Sequence, residues 1–210
     1  MKKYLTIFLM MLLGAGSVIA QYEDGMKAAM KQMDDAKTSE ELMQASAFFE
    51  RIANAEQSKW LPYYYAALCN NLAGWRDDQL DKDQLAGKSI QLLEKAEQLS
   101  PNNCELFCLR NLIFNSQMMV NPRNRWQTYG TKASEALESA KKADPNNPRP
   151  YFLEGQSKFN TPAMFGGGKK AAEPILQKAV ELFGSYAPES DLHPNWGKSD
   201  AEELLNKCKK

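Results

Sequence analysis

The chain reads as all-α: an α-solenoid of four helix pairs ended by a C-terminal capping helix. Three observations carry that reading. Apolar residues recur at helical spacing along the chain, and no alternating run is long enough for a strand. A small–large–small pattern recurs on three amphipathic runs, at Ser89/Leu93/Ala96, Ala133/Leu137/Ala140 and Ala172/Leu176/Ala179. Pro101 and Pro145 each follow the last alanine of their run by five residues and act as helix stops. A repeated helix pair cannot bury its apolar face alone, whereas stacked neighbours can.

Each element has its own signal. Residues 1–20 carry Lys2-Lys3, an apolar stretch from Tyr4 to Leu13 and small residues up to Ala20, the pattern of a signal peptide cleaved before Gln21. That apolar stretch is shorter than a membrane span of about 20 residues. No Cys follows it to take a lipid, so no stable membrane insertion is expected after cleavage. Residues 21–186 form the repeat array, and residues 187–210 an extended strap with the capping helix. The first helix, Tyr22 to Asp35, places Met26, Met30 and Met33 on one side. The second, Ser39 to Gln57, has Leu42, Ala45, Phe49, Ile52 and Ala53 as its stripe, with Ser39 near its N-cap. Trp60 opens a third helix that tolerates Pro62 in its first turn and runs to Trp75. After the charged Arg76–Asp83 connection, a fourth spans Gln84–Leu99 and stops at Ser100-Pro101-Asn102-Asn103. The next pair is Cys104–Val120 and Trp126–Ala143; the last is Pro148–Asn160 and Lys169–Tyr186, where Pro174 should shift the start or bend the helix. The strap, Ala187–Gly197, is expected against that last pair, and Ser199–Lys209 forms the cap.

The pattern resembles the tetratricopeptide-repeat family. Ala133, Leu137, Ala140 and Pro145 match its second helix, as do Ser89, Leu93, Ala96 and Pro101; Ala172, Leu176 and Ala179 match with Gly184 in place of Pro. Tyr151 and Gly155 match first-helix positions, whereas Arg110 stands where a small residue is expected and should splay its pair. The Trp60–Tyr65, Asn147–Tyr151 and Phe165–Lys169 runs resemble small exported repeat proteins of bacterial envelopes. The Phe-Gly-Gly turn also resembles the periplasmic repeat subunit of some solute transporters. The likeness implies a right-handed α-solenoid, first helices along the concave face, and binding or scaffolding work in place of catalysis.

Composition and motifs exclude much. Lys+Arg and Asp+Glu both number 26, and without a basic excess or stripe no nucleic-acid partner is expected. Gly166-Gly167-Gly168-Lys169 lacks the spacing, the following Ser or Thr and the preceding strand of a phosphate loop. Asp77, Asp78, Asp81 and Asp83 lack the Gly and final Glu of a calcium loop. His193, the sole histidine, has no activating partner nearby in sequence, so no catalytic, metal or cofactor residues are assigned. Of the four cysteines, Cys104 and Cys108 share a helix face where a disulfide would be strained. Cys69–Cys104 and Cys69–Cys108 bridges remain open, Cys208 has no evident partner, and buried free thiols are the simpler reading.

One constellation suggests a binding groove. Phe107, Asn111, Phe114 and Asn115 recur 45 residues later as Phe152, Gln156, Phe159 and Asn160, and Tyr64 takes the first aromatic's place in the preceding repeat. If these first helices line the groove, the amides should point into it, with Arg149 near its rim. The sequence therefore predicts an exported, non-catalytic binding protein with a protein or peptide partner. The alternative is a small-ligand-binding accessory of a transporter, and an enzyme is the remote third.

Overall fold

The computed structural model describes residues 21–210, and the expected signal segment lies outside the described residues. Among the described residues the chain is helical without strands. The helices are α1 (residues 21–35), α2 (Ser39–Glu56), α3 (Trp60–Arg76), α4 (Lys82–Leu99), α5 (Cys104–Val120), α6 (Pro122–Arg125), α7 (Thr131–Ala143), α8 (Pro148–Asn160), α9 (Lys169–Ser185) and α10 (Lys198–Cys208). A π-helical turn, Trp126–Gly130, joins α6 to α7, so the expected helix from Trp126 begins with irregular winding. Pro174 stays inside α9, where it removes one ladder hydrogen bond and the packed face holds the helix together.

Local chemistry sets the boundaries. Thr38, one residue before the expected Ser39, caps α2: its Oγ1 accepts from Glu41 N at 3.1 Å, and Glu41 Oε2 accepts from Thr38 N at 2.9 Å. Asn103 and Asn147 cap α5 and α8 identically, each side chain accepting from the backbone N–H two residues on. These paired caps, with Pro101 and Pro145 before them, fix the repeat at 44 residues.

Three of the expected pairs pack on each other, α3 on α4, α5 on α7 and α8 on α9, while α2 also packs on α3 and α10 on α9. Every member of the small–large–small pattern is buried. Gly155 shows why small residues are needed: a Cβ there would stand 2.7 Å from Leu176 Cγ on α9. At the equivalent place on α5, 44 residues earlier, Asn111 Nδ2 donates to Ala133 O of α7 at 2.9 Å. Arg110 does not splay this pair, because its side chain turns to α4 and binds Glu97 through Nε (3.0 Å) and Nη2 (2.6 Å).

The strap departs from expectation. It leaves α9, reaches α3 and returns to α8 before α10 begins. Tyr65 Oη donates to Leu192 O at 2.9 Å, Trp196 Nε1 donates to Tyr64 Oη at 2.8 Å, and the Trp60 and His193 rings meet at 5.6 Å. Gly197, at φ +99°, turns the chain into α10 against Phe152 and Phe183. All four cysteines are free thiols; burial pushes Cys69 up to about 12.

Candidate functional site

Among the first helices, α5 neighbours both α3 and α8, and the 44-residue register assigns equivalent positions along these three. Their N-terminal and C-terminal halves are built from different chemistry.

The N-terminal half lies under the strap. Glu105 and Arg149 hold equivalent positions on α5 and α8 and pair directly, Arg149 Nη1 to Glu105 Oε1 at 2.7 Å. Asn147 Nδ2 donates to the same oxygen at 2.6 Å. Arg149 also donates to Pro194 O of the strap, and its guanidinium lies between the Tyr186 (5.1 Å) and Trp196 (5.4 Å) rings. Burial raises the Glu105 carboxyl above its ordinary range despite the opposing Arg149 charge. For Arg149 burial acts downward, but Glu105 holds its pKa above the usual value. A cavity of about 350 Å³ remains beside this network, lined by Trp60, Asn103, Glu105, Tyr186, His193 and Pro194 among others. His193 is already engaged, Nδ1 with Ser190 Oγ at 2.8 Å and Nε2 near Glu189 at 3.2 Å.

The C-terminal half carries no strap contact of this kind. Leu68, Leu72 and Trp75 on α3 follow one another at spacings of four and three, so they share a face. Their counterparts on α5 are Leu112, Ser116 and Met119. Trp75 is 44% and Met119 45% exposed, and Leu72 and Val120 are also exposed. The segment from Gln117 to Lys132 that follows contains Arg123, Arg125 and Lys132 and no acid. Arg125 is bound to Asp83 at 2.7 and 2.9 Å, and Lys132 stands over Phe114 and Tyr129. Arg123 is exposed and makes no ion pair among the described residues.

The residues expected to form a groove are therefore dispersed. The 45-residue spacing is one residue off the repeat, and one residue is about 100° of rotation on a helix. Asn111 is buried at the α7 crossing, and Asn115 donates to Asn111 Oδ1 at 3.0 Å. Gln156 is half-buried and Asn160 exposed at the end of α8, so the four amides do not form one exposed row. Arg149, expected at the rim, is fully buried, because only a paired and hydrogen-bonded guanidinium survives beneath the strap. Tyr64 is buried as the acceptor for Trp196, and burial keeps its phenol well above its usual pKa. Phe152 packs on Trp196 at 6.4 Å, Phe107 and Phe159 pack against the core that includes Leu137, Leu153 and Leu176, and Phe114 leans on Tyr129. Leu72, Trp75 and Met119 are not among the positions that the 45-residue match selects. The Pro-Asn-Asn turns would have given the correct register, and the Met118-Met119-Val120 run before Pro122 was the local signal.

No protein-family model matches the chain, and no curated protein sequence matches it. In structure it is similar to the HusA haemophore from Porphyromonas gingivalis, with a TM-score of 0.81 and 37% sequence identity. The match covers 90% of this chain and 92% of that one.

Proposed function

Because the chain belongs to the family of the HusA haemophore, we propose that it is an exported carrier that binds haem without transforming it. The cargo is a planar, largely apolar ring with two carboxylates at one edge. The observation that carries the reading is the open apolar half of the first helices, where Leu72, Trp75 and Met119 are partly exposed, Lys82 Nζ standing 5.6 Å over the Trp75 ring. Exposed apolar side chains that gather on one surface mark binding sites, and covering the exposed part of each contributes about 1 kcal/mol. The ring lies across α3 and α5 on Leu72, Trp75, Leu112 and Met119. Arg123, on the acid-free turn that follows, receives a carboxylate. Export is supported by the signal pattern of residues 1–20 together with the haemophore likeness.

The strap-side cavity is the weaker place for this cargo, since its walls are the Glu105–Arg149 network and its histidine has both ring nitrogens engaged. Recognition of a peptide, expected from the repeat resemblance, loses its support where the strap occupies the face a peptide would use. The small-ligand alternative is the one the haemophore likeness favours.

Haemin titration followed by its visible absorbance and by tryptophan quenching tests the site. The Trp75→Ala/Met119→Glu variant should bind at least about tenfold more weakly, which corresponds to about 1.4 kcal/mol. Iron-free protoporphyrin should bind comparably, because the ring supplies the contacts. Unchanged affinity in that variant, with binding abolished by His193→Ala, would move the cargo beneath the strap.

A further inference from the structure

The turn between α8 and α9 holds an exposed feature that the carrier reading does not use. Met164 is 82% and Phe165 71% exposed, more than any other large apolar side chains among the described residues. They sit on a 3-10 turn, Ala163–Phe165, held by its own backbone. Phe165 N donates to Pro162 O at 2.9 Å, Gly166 N to Ala163 O at 3.0 Å and Gly168 N to Lys158 O at 2.8 Å. Gly166 and Gly168 adopt φ of +78° and +89°, and a Cβ at Gly167 would collide with the Thr161 carbonyl. The glycine run thus fixes a rigid turn whose two apolar side chains project outward with nothing above them.

The tip itself is basic, with Glu154 and Glu173 the nearest acids in sequence on either side. Lys158, Lys169 and Lys170 flank it, no Asp or Glu occurs between Gly155 and Ala172, and none of the three lysines makes an ion pair among the described residues. The placement of Lys169 and Lys170 disfavours the helix: α9 starts with two cations in its first turn, no acidic residue and no side-chain cap. Cations at a helix N-terminus oppose the macrodipole, so local stability does not explain them. Two solvent-facing apolar residues inside a basic collar match a surface that is anionic outside and apolar beneath.

The geometry points to the Thr161–Lys170 turn as a docking tip for anionic lipid surfaces, with Met164 and Phe165 entering the headgroup boundary and the three lysines meeting lipid phosphates. A protein receptor fits less well, because the tip offers no concavity and its glycines supply no side chains for a complementary interface. The attachment is peripheral and reversible: no described helix is long and apolar enough to cross a membrane.

Co-flotation of the mature chain with vesicles tests it. Binding should appear with mixed phosphatidylcholine–phosphatidylglycerol vesicles, be absent with phosphatidylcholine alone, and weaken as salt rises. Met164→Asp/Phe165→Asp and Lys169→Glu/Lys170→Glu should each lower the partition by about tenfold or more, with thermal midpoints and haemin titration unchanged. Absence of binding to both vesicles, equal binding to both, or binding that neither variant weakens overturns the proposal. Loss of haemin affinity in the Met164→Asp/Phe165→Asp variant also overturns it, by assigning the tip to the cargo site.

Discussion

The two halves of the first helices differ more from each other than one repeat differs from the next. Toward their N-termini, equivalent positions read Leu61, Glu105 and Arg149, and the last two pair under a strap that also caps Tyr64 and Tyr65. Toward their C-termini, equivalent positions read Trp75 and Met119, and both stay wet. Charged residues are buried where they pair with each other, Glu105 Oε2 and Arg149 Nε alone being left without a partner among the described residues, and apolar residues are exposed where little of the chain covers them. A buried ion pair is poor evidence of net stability, since desolvation offsets the attraction. The exposed part of an apolar side chain contributes nothing to the folded monomer. Each half thus carries a feature that folding alone does not favour, and the strap divides architecture from recognition.

The contrast is broken most severely at Arg149. Arg149→Ala leaves Glu105 buried without its cation and Pro194 O without a donor, and should cost about 3–5 kcal/mol in denaturant unfolding. Replacing both members, Glu105→Leu/Arg149→Leu, extends the Leu61 row and should cost clearly less than Arg149→Ala alone. A double variant as unstable as the single one would show that the strap contact, more than the ion pair, sets the loss.

A smaller effect sharpens the electrostatic side. Burial raises the folded pKa of Glu105 above its unfolded value. Its contribution is therefore fully present below the unfolded carboxylate pKa and is lost as pH rises through the folded one. Glu105→Gln lacks this titration, so wild-type stability minus variant stability should fall across that window. A difference that rises with pH would mean the Arg149 attraction outweighs desolvation. The smallest effect belongs to the open half: Met119→Ser should change stability by less than about 0.5 kcal/mol, a loss above that showing the side chain to be core.

Much of the helical frame was legible because its signals are local. Asn103 and Asn147 mark helix starts, and the alanine runs mark the buried stripes. The site was not legible, for two physical reasons. Helical rotation punishes small register errors, so a match of Phe107 to Phe152 at 45 residues placed chemically similar side chains on different faces, whereas the turns repeat at 44. The strap's partners are remote: no local pattern joins Trp196 to Tyr64, 132 residues away, or reveals that Arg149 will be covered by Pro194.

That same strap changes how the molecule comes apart. An open repeat array is nearly one-dimensional, each unit depending only on its neighbours, so its ends can fray without consulting the middle. Here a segment from beyond the last repeat is tied to the second helix pair, and the line becomes a closed circuit. Tyr64 and Tyr65 finish burying themselves only after the final fifth of the chain has arrived, a closure whose entropy is lost late in folding. Opening the C-terminal end then uncovers α3 as well, so the stretch from α3 to the strap opens more as one unit than an unclosed array would, while α1 and α2 stay outside the circuit.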